Sequence, residues 1–459
     1  MSLPRYEEYK DSGLAWLGAL PAHWAVSRLK HIVSTPITDG PHETPTFSEE
    51  GVPFVSAEAV SSGTINFEKI RGHISLEDHQ RFSQKYKPEF LDIYMVKSGA
   101  TTGVAAIVET RKDFNIWSPL AAIRCNQDVA VPHFVLNFLR SRNFQEAVAL
   151  NWSFGTQQNI GMGVLGDIAI ACPPISEQRC IATFLDRETA KIDALIAEQE
   201  KLIALLAEKR QATISHAVTK GLNSNAPMKG SGVAWLGEVP AHWAVTRLKF
   251  VAGVQTGIAK GKDTTGKDTI AVPYLRVANV QDGFLVLDDI ATLEIEVEQL
   301  ARYRLMPGDV LMNEGGDFDK LGRGSIWRGE IPDCIHQNHV FAVRPSSVRA
   351  EWLNRITSSQ YAQFYFMGRS KQSTNLASIS SSNIMELPVL LPPDDEQSTI
   401  LQFIDEEIAK LERLRVQSEQ AVSLLKERRS ALIAAAVTGR IDVRGLANVS
   451  AATREKQAA

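Results

Sequence analysis

From Ser176 to Gly221, and again from Asp395 to Gly439, apolar residues return every three, seven or eight positions along polar stretches that hold no proline and no glycine before their last residue. That spacing predicts two helices whose apolar side is a narrow seam, suited to pairing with another helix rather than to burial all round. Each would be roughly 60 Å long at 1.5 Å per residue, which outruns any small domain. Ser176 and Asp395 follow Pro-Pro pairs and read as N-caps, with Gly221 and Gly439 as terminators. The helix-pairing positions recur in both copies: Leu185 with Ile404, Ile192 with Leu411, Leu195 with Leu414, Ile203 with Val422, Leu206 with Leu425, and Ile214 with Ile433. A polar residue breaks each seam at its midpoint, Gln199 and Ser418. If the helices pack antiparallel about a pseudo-two-fold axis, the midpoints meet, and a buried polar pair there would fix register.

Elsewhere the period shortens. "VPFVSAEAV" (Val52 to Val60), "GVAAIVET" (Gly103 to Thr110) and "DIAIACPP" (Asp167 to Pro174) read as strands bounded by turn residues. "PHFVLNFLRSRNFQEAV" (Pro132 to Val148) reads as one amphipathic helix. Faint echoes return later as "VPYLRVANV" from Val272, "GDVLMNEGG" from Gly308 and "EWLNRITSSQYAQFYF" from Glu351. The two stretches carry the same mixed pattern with different polar residues.

A repeat explains the echoes. "SGLAWLGALPAHWAVSRLK" at Ser12 returns at Ser231 as "SGVAWLGEVPAHWAVTRLK"; 15 of the 22 residues from Ser12 to Val33 are identical at an offset of 219. The same offset aligns Pro173-Pro174 with Pro392-Pro393 and Glu177-Gln178 with Glu396-Gln397. Each half is therefore a tryptophan motif, a divergent middle and a long helix. The expected segments are 1–33, a middle at 34–172, a helix at 173–221, the repeated opening at 222–252, a second middle at 253–391, a second helix at 392–440 and a tail at 441–459.

Composition changes this picture little. With 44% hydrophobic and 22% charged residues, 459 residues suit two to four folded domains. Cys125, Cys172, Cys180 and Cys334 are too few and too irregularly spaced for a disulfide framework or a CxxC metal site, and read as buried thiols. No basic-then-apolar leader and no long apolar run is present, so the cytoplasm is the expected location, with no membrane. A net charge of −4 gives no electrostatic case for nucleic acid.

Motifs that would carry catalysis fail on context. "GMGVLG" (Gly161 to Gly166) has dinucleotide-fingerprint spacing but precedes a strand-like run, and reads as a turn. "GKDTTGKD" (Gly261 to Asp268) nearly spells a phosphate loop, yet Asp268 stands where a hydroxyl should hold magnesium. Its lysines suit a phosphate backbone instead. His336 and His339 lack an HExxH setting, and no GxSxG elbow appears.

With both W-L-G-x-x-P-x-H-W openings and both Pro-Pro-x-x-Glu-Gln helix starts in hand, the chain resembles the specificity subunit of Type I restriction-modification systems, from about Tyr9 to Val443. The "TDGPHETP" loop (Thr38 to Pro45) is also similar to the start of many such target-recognition domains. The resemblance implies an α+β fold: two target-recognition domains of mixed α/β structure, separated by two long helices packed as an antiparallel coiled coil in a pseudo-two-fold repeat. It implies a non-catalytic reader of double-stranded DNA. Each domain would read one half of a bipartite, asymmetric site, and the helices would set the spacer and bind two modification subunits. S-adenosylmethionine, ATP and Mg would belong to the partner modification and restriction (motor-nuclease) subunits, with no cofactor in this chain. Two similar but non-identical readers in one chain independently suit a site whose halves differ.

Candidate contacts are loop residues able to pair with base edges or phosphates. They are Lys97, Ser98, Thr101, Thr102, Gln157, Gln158 and Asn159 in the first middle. The second offers Lys260, Lys262, Lys267, Lys320, Arg323, Lys371, Gln372 and Asn375. Trp16, Trp24, Trp235 and Trp243 read as packing anchors, because residues identical in both halves cannot encode two different half-sites. A different class of function, a coiled-coil adaptor without DNA binding, would use the same helices.

Overall fold

The computed structural model describes residues 3–151, 153–154, 158–261, 265–316, 318, 321–372 and 377–447. The chain divides into two compact units, Met1–Gln199 with Gln420–Ala459, and Glu200–Glu419. The cuts fall inside the two long helices, Ile175–Lys220 and Asp394–Val437. Each unit therefore owns one tryptophan motif, one middle, the start of the helix that follows it, and the end of the other helix.

In the first unit a four-stranded antiparallel sheet runs in the order Thr38–Asp39, Leu120–Ile123, Ile93–Val96, Ala105–Ile107. Its central strands are buried on every residue, which is why "IYMV" and "LAAI" read as unbroken apolar runs. The two-residue alternation still sorts them. Ile93, Met95, Ala121 and Ile123 join the core beneath the helices, while Tyr94, Val96, Leu120 and Ala122 pack on the other side with Phe114. A smaller sheet places His73–Ile74 and Asn115–Ile116 on either side of Val52–Val55. The second unit repeats the plan: Ala252–Thr256, Val340–Pro345, Val310–Asn313, Gly324–Ile326 in one sheet, and Ala291–Glu296, Thr269–Leu275, Ile335–His336 in the other.

Within each unit the start of one long helix lies against the end of the other, the antiparallel sense. Ile181, Phe184 and Leu185 share a core with Ile433, Ala436 and Val437, and Arg429 donates to Asp193 at 2.8 Å. In the second unit Ile400, Leu401 and Ile404 share one with Ile214, Ala217 and Val218. Of the seam positions, Leu185, Ile192, Leu206, Ile214, Ile404, Leu411 and Ile433 are buried, and Ile203, Val422 and Leu425 are half-buried. Leu195 and Leu414, assigned to the seam by spacing, are 52% and 48% exposed. At the first of these levels Ile196, one residue on, is the buried one. Ser418 is buried and Gln199 half-buried.

Other expectations shift for local reasons. The single helix expected at Pro132 to Val148 is two, Pro132–Arg140 and Arg142–Asn151. Ser141 between them is extended, its hydroxyl donating to the Phe138 carbonyl at 2.6 Å and accepting from the Phe144 amide at 3.3 Å. Ser359 does the same between Ala350–Thr357 and Gln360–Arg369. A serine that caps outcompetes an apolar period that would carry the helix through. In "VPFVSAEAV" the strand stops at Val55 and Ala57–Val60 forms a helical turn. "GMGVLG", read as a turn, carries the short helix Met162–Asp167, which still feeds the strand Ala169–Cys172. The long helices start at Ile175 and Asp394, one residue before the expected caps, because the Pro174 and Pro393 carbonyls already accept the first helical bonds.

Candidate nucleic-acid interface

The repeated signatures meet each other. His23 of the first opening lies 2.9 Å from Glu177 at the head of the first long helix, and His242 lies 2.6 Å from Glu396 at the head of the second. In the first unit the Tyr6 hydroxyl also donates to Glu177. Trp24 and Trp243 are fully buried beside the glycines that end the long helices. A Cβ on Gly439 would lie 2.4 Å from Pro21 and 3.1 Å from Trp24, and one on Gly221 would lie 3.2 Å from Trp243. Both glycines sit at positive φ, 67° and 71°, as a helix terminator requires. Each opening thus fastens the start of one helix to the end of the other within its unit. Trp235 stacks on Tyr361 with ring centroids 6.1 Å apart, and Trp16 is half-buried. Packing accounts for all four tryptophans.

The middles share more than periodicity revealed. Arg124 forks onto buried Asp92 with two bonds of 2.8 Å, and Arg344 forks onto buried Asp309 with two of 2.7 Å. The second oxygen of each aspartate also accepts a backbone N–H three residues earlier, from Glu89 and Met306, at 2.8 Å. These pairs pin the strand that leads into the loop above each sheet. Gly40 and Gly257 are equivalent too, since a Cβ would fall 1.9 Å from the Ile116 carbonyl oxygen and 2.0 Å from that of His336.

Above each pinned strand lies a corner made of a loop and a hairpin. In the first unit the loop after Ile93–Val96 faces the hairpin Ser153–Phe154 with Gln158–Asn159. Ser98 bridges Asn159, the Gly99 amide donates to the Gln158 carbonyl at 3.1 Å, and the Ile160 amide donates to Lys97 at 2.9 Å. The Thr102 hydroxyl closes the loop on the Gly99 carbonyl at 2.7 Å. The structure thus gathers Lys97, Ser98, Thr101, Thr102, Gln158 and Asn159 at one place. Lys97 is turned inward, its ammonium 3.1 Å from Asp39. In the second unit Lys371–Gln372 pairs with Ala377–Ser378, which pairs in turn with Gly315–Gly316 of the equivalent loop. Lys371 and Gln372 are exposed there.

Other candidates lie apart from these corners. Lys260 is exposed, its ammonium 5.6 Å from the centre of the Tyr274 ring, and Lys267 pairs with Glu296 at 2.6 Å. Arg323 lines a polar cleft with Gln211, Asp282, Thr357, Ser358 and Gln363. Gln157, Lys262, Lys320 and Asn375 lie outside the described residues. Among the described residues no group of three or more His, Cys, Asp or Glu is placed to hold a metal ion, and no helix is long and apolar enough to cross a membrane. Burial raises the Cys125 and Cys334 thiols to about 12 and that of Cys172 to about 11. Such thiols are inert rather than nucleophilic.

Each of the two α+β units is opened by the same anchoring motif, holds the start of one long helix against the end of the other, and carries a polar corner. Comparison with known proteins finds the same likeness. Residues 21–204 match the model of the Type I restriction modification DNA specificity domain. The chain is 24% identical over 370 residues to the Type I restriction enzyme EcoKI specificity subunit of Escherichia coli K12, covering 78% of this chain and 76% of that one. It is 23% identical over 366 residues to the StySPI specificity subunit of Salmonella potsdam, with the same coverage. A chain solved in work on complex assembly and conformational transition of the type I R-M system matches with a TM-score of 0.61 at 17% identity. That match covers 91% of this chain and 98% of the solved one, and shows that they share the fold. The resemblance to Type I specificity subunits read from the two repeated motifs holds.

Proposed function

We propose that this chain is the sequence-specific DNA-binding subunit of a Type I restriction-modification complex, each corner reading one half of a bipartite, asymmetric site. The observation that carries the reading is the same corner built twice on the same pinned sheet with different residues. Ser98, Thr102, Gln158 and Asn159 furnish one, and Lys371 and Gln372 the other. Hydroxyl, amide and ammonium groups are the chemistry that pairs with base edges in the major groove; here they are half-buried at Ser98, Thr102 and Gln158 and exposed at Asn159, Lys371 and Gln372. The frame beneath is repeated, so the difference at the corners is where a difference between half-sites would be written.

The long helices set the spacer and bind two modification subunits, and restriction subunits join the full complex. The chain is non-catalytic; S-adenosylmethionine, ATP and Mg act in the partners. The complex works in the cytoplasm.

The test is to replace residues 34–172 with the corresponding middle of another specificity subunit, co-express the modification subunit, and map methylated bases by long-read sequencing. One half of the methylated motif should change while the other half stays. A change in both halves, or no methylated split motif from either chain, refutes the reading.

A further inference from the structure

Three separate segments of the first unit bring nitrogen donors to one buried carboxylate. The Lys85 ammonium lies 2.5 Å from Asp39 Oδ1, the Lys97 ammonium 3.1 Å from Oδ2, and the His42 ring nitrogen 3.2 Å from Oδ2. Lys85 also donates to the Gly40 carbonyl at 3.0 Å. Asp39 is fixed by its place in the sheet opposite Ala121 and by the close approach of Gly40 to the Ile116 carbonyl. One ammonium would neutralise this carboxylate; two leave a surplus positive charge. The Lys85 side chain is 46% exposed, against 13% for Lys97 and 9% for Asp39, so the surplus faces solvent through Lys85. Arg81, which lines the same cleft as Lys85, is shared between Glu43 and Asp78, and that triad carries one negative charge, so the surplus is confined to the Lys85 and Lys97 ammoniums on Asp39. The cluster stands at the root of the recognition corner, because Lys97 is the residue on which that corner's loop begins.

The second unit is built differently at the same position. Asp39 pairs with Ala121, which pairs with Met95; Thr256 pairs with Phe341, which pairs with Met312. Thr256 therefore stands where Asp39 does, and Glu314 where Lys97 does, with His339 at 2.6 Å from Glu314. No ammonium pair on a buried acid is assembled there among the described residues.

We propose that Lys85, held with Lys97 on the carboxylate of Asp39, grips a DNA backbone phosphate beside the first corner, with Asp39 as its positioning residue. The clamp belongs to one domain and is blind to sequence, unlike the corner it flanks. It rests on the reading of the chain as a DNA reader. It also offers a local source of phosphate affinity in a chain whose net charge is −4.

The full chain, alone and with its modification subunit, is titrated onto short fluorescent duplexes of two unrelated sequences across about 50 to 200 mM salt. One phosphate contact contributes about 0.9 to the slope of log affinity against log salt, or about 3.5-fold over that range. Lys85→Gln is expected to weaken both duplexes equally and to reduce the slope by about 0.9, while Lys85→Arg keeps both values. Asp39→Asn is expected to reduce the slope although it adds a positive charge; a rise in affinity overturns the positioning role. Lys85→Gln with an unchanged slope, or Lys85→Arg as weak as Lys85→Gln, removes the clamp and leaves the DNA-reading function standing. Absence of binding by the unmodified chain on every duplex brings down both.

Discussion

Replacing Arg124 by Met isolates what the repeated ion pair does for the fold. The methionine fills much of the space of the arginine stem but leaves Asp92 without its two 2.8 Å guanidinium bonds. Asp92 is buried and retains only the Tyr86 hydroxyl at 2.5 Å and the Glu89 amide at 2.8 Å. Each charge-assisted bond is worth about 1.5–3 kcal/mol, and breaking one side of a buried pair costs about 3–5 kcal/mol. The Arg124 side chain is 22% exposed, so part of its charge is screened and the lower end applies. The expected loss is therefore about 3 kcal/mol. For a unit of this size that lowers the midpoint of its thermal transition by roughly 6–12 °C, read by calorimetry on the full chain. A shift no larger than an ordinary surface change, about 0.5 kcal/mol, would refute the claim that this pair pins the strand beneath the corner.

Further outcomes follow from other residues. Gly40→Ala and Gly257→Ala each push a methyl group to 1.9 and 2.0 Å from a backbone oxygen, and each should lower stability by about 1–3 kcal/mol in denaturant melts. Wild-type melting curves in either would show that the strands can part without cost. Burial raises the Asp39 carboxyl, but hydrogen bonds from Lys85 and Lys97 outweigh it and hold the group below its ordinary value. Its stabilising contribution is therefore full above the unfolded value of about 3.9 and is lost as pH falls through the lower folded value. Asp39→Asn should accordingly flatten acid unfolding below about pH 4, and an unchanged acid limb would count against the lysine pairing. With thiols raised to about 12, Cys125 and Cys334 should react with a thiol reagent at neutral pH only after denaturation; rapid native labelling would contradict their burial.

The sequence alone determined the parts that depend on pattern. Two long helices, their glycine ends, the repeated openings and the family resemblance were legible because seam spacing, helix terminators and a 219-residue offset are written in order along the chain. Asp92 with Arg124 and Asp309 with Arg344 were not, since the partners stand 32 and 35 residues apart with no shared motif around them. The same holds for Asp39, Lys85 and Lys97, which only the closing of a sheet brings to one point. Gly40 was legible as part of the "TDGPHETP" loop, but not as the residue whose missing side chain lets that loop lie on Ile116. Local capping decided that Ser141 and Ser359 would split helices that periodicity alone carries through. The largest decision was tertiary. Each compact unit takes the start of one long helix and the end of the other, so the folded units are not the two halves of the sequence. A seam on a single helix cannot say which partner will cover it; antiparallel packing does, because it brings the end of one repeat beside the beginning of the other.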